Sequence, residues 1–257
     1  MSKHFKHIYG PVASWRLGSS LGVDLLGGEK KHCALDCIYC QLGARKPAAL
    51  ARKVFVPTSA IIAEIKALPK VHIDYITFSG SGEPTLARNL GQAIKAIKQI
   101  RPEAVAVLTG SALIYRKDVQ RELSLADLVA VKLDADSEVS LRRINRPGSG
   151  ITLTKILKGI IDFRGHYRGK LVLQIMCLRE NAQIMPAIAH LAEQIHPDEI
   201  HLTTATRPCR VKPLPPRAMA KIKKIFGTTK VRVPYEHRRK KVAPLSEKDT
   251  LARRGRL

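Results

Sequence analysis

The chain has 257 residues, of which 45% are hydrophobic and 26% charged, and its 45 lysine and arginine residues against 21 acidic residues give a net charge of +24. This composition is typical of a globular protein and excludes a disordered or fibrous chain. The apolar runs are far shorter than the roughly 18 residues that cross a bilayer, and the first residues lack the apolar region of an export signal. We therefore expect a cytoplasmic location and no membrane partner, while the positive charge favours contact with a polyanion such as nucleic acid.

Apolar runs of strand character alternate with helical patterns along most of the chain. The runs that predict strands are residues 22–25, 73–78, 104–108, 128–133, 170–176 and 199–202. The stretches with helical spacing of apolar residues are residues 86–99, 117–123, 153–163 and 185–195. Strict alternation with fully apolar strands predicts an α/β fold with a parallel sheet, either open and doubly wound or closed into a partial or full β/α barrel. Either arrangement binds ligands at the carboxyl ends of the strands.

The last fifth of the chain is strongly basic. Residues 207–257 contain 17 lysine and arginine residues and 3 acidic ones, which is more than half of the net charge. Within this stretch, residues 218–226 have the pattern of a basic helix and residues 231–233 that of a short strand. Large apolar side chains are rare after that strand, so the sequence predicts a core domain over residues 1–235 and a flexible basic tail over residues 236–257.

Three of the five cysteines lie within eight positions, at Cys33, Cys37 and Cys40. This clustering is not that of a disulfide framework. Three thiolates on one short loop can bind three irons of a 4Fe-4S cluster and leave the fourth iron without a protein ligand. A zinc site completed by His32 is the alternative, which the direct adjacency of His32 to Cys33 disfavours. The other two cysteines, Cys177 and Cys209, are expected to be buried or incidental thiols.

A second candidate binding element follows the predicted strand at residues 73–78. It is a turn of small residues that ends in an acid and a proline: Gly80, Ser81, Gly82, Glu83 and Pro84. A turn of small residues lets main-chain oxygens approach a ligand closely, and an ammonium group needs such acceptors. Taken alone the turn is typical of an ordinary loop, but its position one strand after the cysteine cluster indicates a binding site.

The cysteine spacing and the turn together resemble the signature of the radical S-adenosylmethionine (SAM) superfamily. The residue before the third cysteine is aromatic, Tyr39, as is usual there, and Ser81 stands where the superfamily turn has its first glycine. The chain also resembles a compact group of Fe-S oxidoreductases related to the archaeal wyosine-forming tRNA enzymes. The stretches that carry this second similarity are residues 9–25, 41–43, 133–135, 143–147 and 206–208.

The resemblance implies a partial (β/α)6 barrel with a 4Fe-4S cluster on the three cysteines and SAM on the turn. Further SAM contacts are expected at two strand ends, from Thr109, Ser111, Lys132 and Asp134. A reduced cluster would cleave SAM to a 5′-deoxyadenosyl radical that abstracts hydrogen from a substrate, so no catalytic residue independent of the cofactor is expected. An electron donor such as flavodoxin or ferredoxin is the implied partner.

The substrate is open at this stage. The basic C-terminal region favours RNA, for instance a tRNA base, and a solubility tail is the competing interpretation of the same charge. Radical modification of a protein or a small metabolite is an alternative within enzymes. From a different class, the chain could be a non-catalytic Fe-S or zinc protein that binds nucleic acid, although such a module has no need for a SAM amino-group site.

Overall fold

The computed structural model describes residues 5–28, 30–44, 51–227, 230–237 and 240–254. One sheet of eight strands forms the centre, and the strands lie side by side in chain order. The strands are β1 (Ile8–Ser14), β2 (Gly18–Val23), β3 (Tyr75–Phe78), β4 (Ala104–Leu108), β5 (Leu128–Lys132), β6 (Lys170–Met176), β7 (Glu199–Thr203) and β8 (Val231–Arg232). The curved sheet confirms the predicted partial barrel.

The parallel part of the sheet runs from β2 to β8, and only β1 is antiparallel to its neighbour. The six strands predicted from apolar runs correspond to β2 to β7, although the first, predicted over residues 22–25, shares only residues 22–23 with β2. The short predicted strand near residue 231 is β8. The register aligns Val23 with Phe78 and Met176 with Thr203, so the carboxyl ends of the strands meet at one rim. A ligand site is therefore expected at that rim.

Helices pack around the sheet, and most of them cover its outer face. They are α1 (Thr58–Lys66), α2 (Leu90–Ile100), α3 (Lys117–Leu123), α4 (Glu138–Ile144), α5 (Leu153–His166), α6 (Met185–Ile195), α7 (Pro216–Lys223) and α8 (Glu247–Arg254). In α2, buried Leu90, Ile94 and Ile97 recur at helical spacing while Lys95 is exposed on the other face. Burying each of these side chains stabilises the fold by roughly 1.5–3 kcal/mol. Within the described ranges, no helix combines the length and apolarity needed to span a membrane.

Strand side chains alternate between two apolar layers. The outer layer packs under the helices and includes Phe78, Val107 and Val131. The inner layer fills the barrel interior away from the carboxyl rim, with Leu17, Ala106, Leu128, Ala130 and Val172. Leu17 enters from the β1–β2 turn and fills one end of the interior. Because most of the other inner side chains are small, they leave a space inside the barrel that opens at the carboxyl rim.

Part of the segment predicted to be a flexible tail packs against β1. The Leu245 amide donates to the Gly10 carbonyl at 2.6 Å, and the Gly10 amide donates to Thr250 Oγ1 at 3.1 Å. Arg253 in α8 is only 5% exposed. Hydrogen bonds hold this segment against β1. The sequence analysis relied on large apolar residues, which are scarce here, and therefore did not predict the contact. The remaining tail residues, 238–239 and 255–257, lie outside the described residues, and the boundary at residue 235 stays a prediction.

Candidate active site

A cavity of about 330 Å³ opens at the carboxyl rim. This volume lies in the range typical of small-molecule sites. Its lining includes most of the residues that the sequence analysis selected, namely Cys33, Cys37, Cys40, Gly80, Gly82, Glu83, Thr109 and Lys132. The other four selected residues are buried behind this lining: Ser81, Pro84, Ser111 and Asp134. We call the part of the lining that the three cysteines, Gly82 and Glu83 form the cysteine wall.

The cysteine loop follows β2 and is held by the end of α4. The Ile38 amide donates to the Ile144 carbonyl at 2.9 Å, and the Asp36 amide donates to the Asn145 carbonyl at 3.0 Å. The side chain of Asn145 also donates to Cys37 Sγ at 3.4 Å. Because these contacts come from an element far along the chain, the tertiary fold fixes the loop.

Burial keeps the thiols of Cys33 and Cys37 neutral in the absence of a bound cation. It raises the pKa of Cys33 to about 12, and the negative charge of Glu83 acts in the same direction. Burial also raises the pKa of Cys37. Iron carries the positive charge that stabilises a thiolate in such surroundings. The donor set therefore fits a group that brings its own cations.

The three thiols of this loop do not meet at a single-ion site. In the part of the chain that the structure describes, no three His, Cys, Asp or Glu side chains converge closely enough to hold one metal ion. A 4Fe-4S cluster does not require such convergence, because each thiolate binds a different iron. The ring of His32, the proposed fourth zinc ligand, lies 4.8 Å from the Phe55 ring between centroids. The zinc alternative therefore gains no support.

The turn at residues 80–84 pairs directly with the start of the cysteine loop. The His32 amide donates to the Ser81 carbonyl at 3.0 Å, and the Glu83 amide donates to the His32 carbonyl at 2.7 Å. A Cβ atom at Gly82 would overlap the His32 carbonyl, so only glycine fits there. This pairing brings the two sequence motifs together on the cysteine wall.

Neutral donors hold the buried carboxylate of Glu83. Thr85 donates through its amide at 3.1 Å and its hydroxyl at 2.7 Å, and Thr109 Oγ1 donates at 2.7 Å. The Gly110 amide donates to the second carboxylate oxygen. These donors orient the carboxylate. Because they are neutral, they do not cancel its negative charge, which can attract a cationic ligand group.

Ser81 and Pro84 support the turn from behind the cavity. Ser81 donates to Asp24 through its hydroxyl at 2.9 Å and its amide at 3.2 Å. The Ser81 carbonyl already accepts a hydrogen bond from the amide of the residue before Cys33. Pro84 starts a short 3-10 helix, Pro84–Leu86. The role expected for Ser81, a main-chain acceptor facing the ligand, is not seen, since its polar groups are turned into the protein.

Thr109 and Ser111 connect three neighbouring strand ends. The Ser111 amide donates to Thr109 Oγ1 at 3.0 Å, and the Lys132 amide donates to Ser111 Oγ at 2.7 Å. Ser111 has a φ of 67°, a left-handed conformation that few residues other than glycine adopt. With its Glu83 contact, Thr109 aligns the turn with β4, whereas Ser111 aligns β4 with β5.

Lys132 and Asp134 occupy different places at the end of β5. The Lys132 ammonium lies 5.0 Å from the centre of the Tyr39 ring. Burial lowers the pKa of Lys132, but the charges of Asp134 and Cys37 outweigh it, and the net shift of this pKa is upward. Asp134 accepts hydrogen bonds from the Tyr39 hydroxyl and, at 2.8 Å, from the Asn145 amide. Asp134 therefore orients the aromatic residue of the cysteine loop and does not contact the cavity.

A second part of the lining comes from the β1–β2 turn and from β6 and β7. We call it the hairpin wall, and it consists of Trp15, Arg16, Leu17, Gln174, Met176 and Thr203. Arg16 donates to the Gln174 side chain across the barrel interior. The buried His201 ring packs against this wall, with its centroid 5.5 Å from the centroid of the Trp15 ring. The two remaining cysteines, Cys177 and Cys209, are not part of the lining.

Three supporting residues escaped the sequence analysis: Asn145, Asp24 and Arg253. Asn145 and Asp24 lie in the stretches 143–147 and 9–25, whose similarity to known proteins was the available signal. Asp24 and Arg253 are joined by an ion pair at 3.1 Å although 229 positions separate them. No local pattern can reveal a contact at that separation.

Comparison with known proteins agrees with the geometry. The family model described as Radical SAM superfamily matches residues 31–192. The chain therefore belongs to the radical SAM superfamily, which is a superfamily of enzymes. This confirms the predicted superfamily and the prediction that the protein is an enzyme. The proposed relation to the wyosine-forming enzymes stays a prediction.

Individual proteins of known sequence are similar to most of the chain. The chain is 42% identical over 215 residues to the UPF0026 protein slr1464 of Synechocystis sp., covering 83% of this chain and 80% of that protein. It is 35% identical over 226 residues to the UPF0026 protein MJ1312 of Methanocaldococcus jannaschii, covering 85% of this chain and 70% of that protein.

A solved structure supports the fold. Streptococcus suis SuiB bound to S-adenosylmethionine superimposes with a TM-score of 0.62 at 11% identity, covering 79% of this chain and 48% of SuiB. The chain thus spans about half the length of SuiB. At this identity the likeness concerns the fold alone.

Proposed function

We propose that this radical SAM enzyme binds a 4Fe-4S cluster through Cys33, Cys37 and Cys40 and binds SAM beside it at the turn of Gly82 and Glu83. The observation that carries the proposal is the pairing of the turn with the residue before Cys33, which sets both motifs on one cavity wall. When bound, the two groups supply one-electron cleavage of the SAM sulfonium and, from it, hydrogen abstraction from a substrate.

The chain's own residues bind, orient and exclude water. The oriented carboxylate of Glu83 is a suitable acceptor for the SAM ammonium, and the buried ammonium of Lys132 is a suitable partner for an anionic group. The apolar layer beneath the cavity keeps bulk water away from the reacting atoms. No side chain is required as an independent acid or base. The electron comes from a separate donor such as flavodoxin or ferredoxin.

Replacement of one cysteine tests the cluster. After anaerobic reconstitution, Cys37→Ala should lose bound iron and the formation of 5′-deoxyadenosine from SAM, because one iron loses its ligand. Cys209→Ala is the matched control, since this half-buried thiol lies outside the cavity lining and should be dispensable. A wild-type protein that takes up zinc and no iron would contradict the proposal, as would full iron content in Cys37→Ala.

RNA is the candidate substrate that a specific surface favours. Residues 206–226 contain seven lysine and arginine residues and no acidic residue. Five of these side chains are exposed: Arg210, Lys212, Arg217, Lys221 and Lys224. The same segment reaches the cavity, because Thr206 and Arg207 belong to its lining. A basic rim next to the mouth suits a polynucleotide whose base enters the cavity.

Charge reversal on α7 tests this rim. Arg217→Glu with Lys221→Glu should weaken binding of a tRNA mixture and reduce the slope of log affinity against log salt by about 2, since roughly one counterion is released per phosphate contact. Lys95→Glu with Arg121→Glu changes the charge equally on the outer helices and should have little effect. Equal losses in both variants, or binding independent of salt, would favour a protein or small metabolite as substrate.

A further inference from the structure

Arg253 is a buried cation that α8 brings to the edge of the cavity. Its Nε donates to Asp24 Oδ2 at 3.1 Å, and its guanidinium also donates to the Lys6 carbonyl. The guanidinium carbon lies 5.6 Å from the centre of the Tyr9 ring. Arg253 belongs to the cavity lining, although it is distant in sequence from every other residue in that lining.

The partner carboxylate supports the ligand-binding turn. Asp24 is fully buried and accepts hydrogen bonds from both the amide and the hydroxyl of Ser81. Gly80 packs so closely that an added Cβ would come within 2.7 Å of Asp24 Cγ. A buried carboxylate needs a cation or several donors to stay in place. Arg253 supplies the cation that keeps Asp24 against the turn.

Further contacts connect Arg253 and the neighbouring Tyr9 to the start of the turn and to the cysteine loop. The Tyr9 hydroxyl hydrogen bonds with Ser79 Oγ at 2.7 Å, at the start of the turn. The side chain of Gln41 donates to the Arg253 carbonyl at 3.2 Å. Since Gln41 directly follows Cys40, α8 is attached to the turn and to the cysteine loop at once.

We propose that Arg253 is a positioning residue: its guanidinium holds the turn through Asp24 and its main-chain carbonyl holds Gln41, so that the turn and the cysteine loop keep the relative position that SAM requires. This inference rests on the proposed function, because it assumes that the turn binds SAM. It assigns a role to part of the basic C-terminal region other than contact with RNA. A deletion of that region would accordingly disturb the cavity as well as any RNA contact.

Arg253→Met tests the positioning role by removing the charge while keeping much of the side-chain volume. In reconstituted protein, we expect iron content to be retained and SAM binding, measured by equilibrium dialysis, to weaken by about tenfold, as is typical when the support of a ligand-binding residue is lost. Arg253→Lys should recover most of the affinity, since it restores the cation. Lys248→Met is the matched control, because Lys248 is an exposed cation on the same helix.

A double variant separates positioning from folding. Asp24→Asn with Arg253→Met removes the buried charges together, so neither is left unpaired. This protein should fold, as judged by thermal unfolding, and still bind SAM weakly. Wild-type SAM affinity in a folded Arg253→Met or double variant would overturn the inference. Wild-type protein that binds no SAM would instead overturn the proposed function.

Discussion

The cysteine wall and the hairpin wall of one cavity are built in different ways. Main-chain hydrogen bonds join the turn to the cysteine loop in the cysteine wall, and its Glu83 carboxylate accepts hydrogen bonds from Thr85 and Thr109. The hairpin wall consists of single side chains from separate elements, such as Arg16 and Gln174, which meet across the barrel interior over 158 positions of sequence. A wall fixed by backbone pairing suits a cofactor, and a wall made of single side chains suits a substrate.

The largest expected effect is that of Gly82→Ala on the cysteine wall. The added methyl group would overlap the His32 carbonyl and separate the turn from the cysteine loop. We expect SAM binding to fall below detection in equilibrium dialysis, with a loss of about 1–3 kcal/mol in the free energy of unfolding from overpacking. Gly165→Ala, in open space within α5, is the control that should bind SAM normally. Normal SAM binding by Gly82→Ala would show that the pairing is dispensable.

Asp134→Asn should have the next largest effect. Both carboxylate oxygens accept hydrogen bonds, one from the Tyr39 hydroxyl and the Asn145 side chain and the other from the Met176 main-chain amide. An asparagine keeps only one acceptor oxygen, so its NH2 group would face a donor on one side and the support of the cysteine loop would weaken. The free energy of unfolding should fall by about 2 kcal/mol, the usual contribution of a hydrogen bond to a charged group. Bound iron should also be lost faster to a chelator. Glu193→Gln, an exposed acid-to-amide change, should alter neither quantity, and the account is wrong if both variants behave alike.

The hairpin wall should respond to acid through His201. Burial and then the nearby Arg16 charge lower the pKa of this side chain to about 3. Its folded pKa thus lies below the unfolded value of 6.5, so stability from this group is complete above pH 6.5 and falls as the pH drops toward 3. Between pH 7 and pH 5 the loss is about 2 kcal/mol, measurable by urea unfolding. His201→Gln should remove this part of the pH dependence, and an unchanged profile would disprove it.

The smallest effect on SAM chemistry is expected from Arg16→Met. Arg16 contacts Gln174 on the hairpin wall, away from the cysteine loop and the turn. Iron content, SAM affinity and the slow cleavage of SAM without substrate should therefore match the wild type. A fall in SAM affinity comparable to that of Gly82→Ala would abolish the distinction between the two walls.

The sequence predicted the sheet well because its central strands are buried on both faces. The predicted bounds of β4 and β6 match the structure, since their apolar runs are continuous and end sharply. The edge strand β1 was missed, because its glycine and proline at positions 10 and 11 obscure a strand pattern. The short helix α4 was missed because it exposes Val139 and buries Ser140, so its apolar residues do not mark the buried face.

The candidate site was predictable only where its residues form a local motif. The cysteines and Glu83 were found this way, and the cavity brings them together. Asn145 contacts Cys37 over 108 positions and Asp24 contacts Arg253 over 229. Asp134 was selected as a SAM contact at a strand end, but its side chain is oriented toward Tyr39, and this orientation depends on neighbouring strands, which spacing alone does not reveal.

The central claim is that the cluster and SAM share the cysteine wall. Electron paramagnetic resonance of the anaerobically reconstituted and reduced protein, recorded with and without SAM, tests it most directly. We predict a 4Fe-4S signal whose g-values change when SAM is added, because the iron without a cysteine ligand is open to SAM. A 4Fe-4S signal that saturating SAM leaves unchanged, or no iron-sulfur signal at all, would contradict the account.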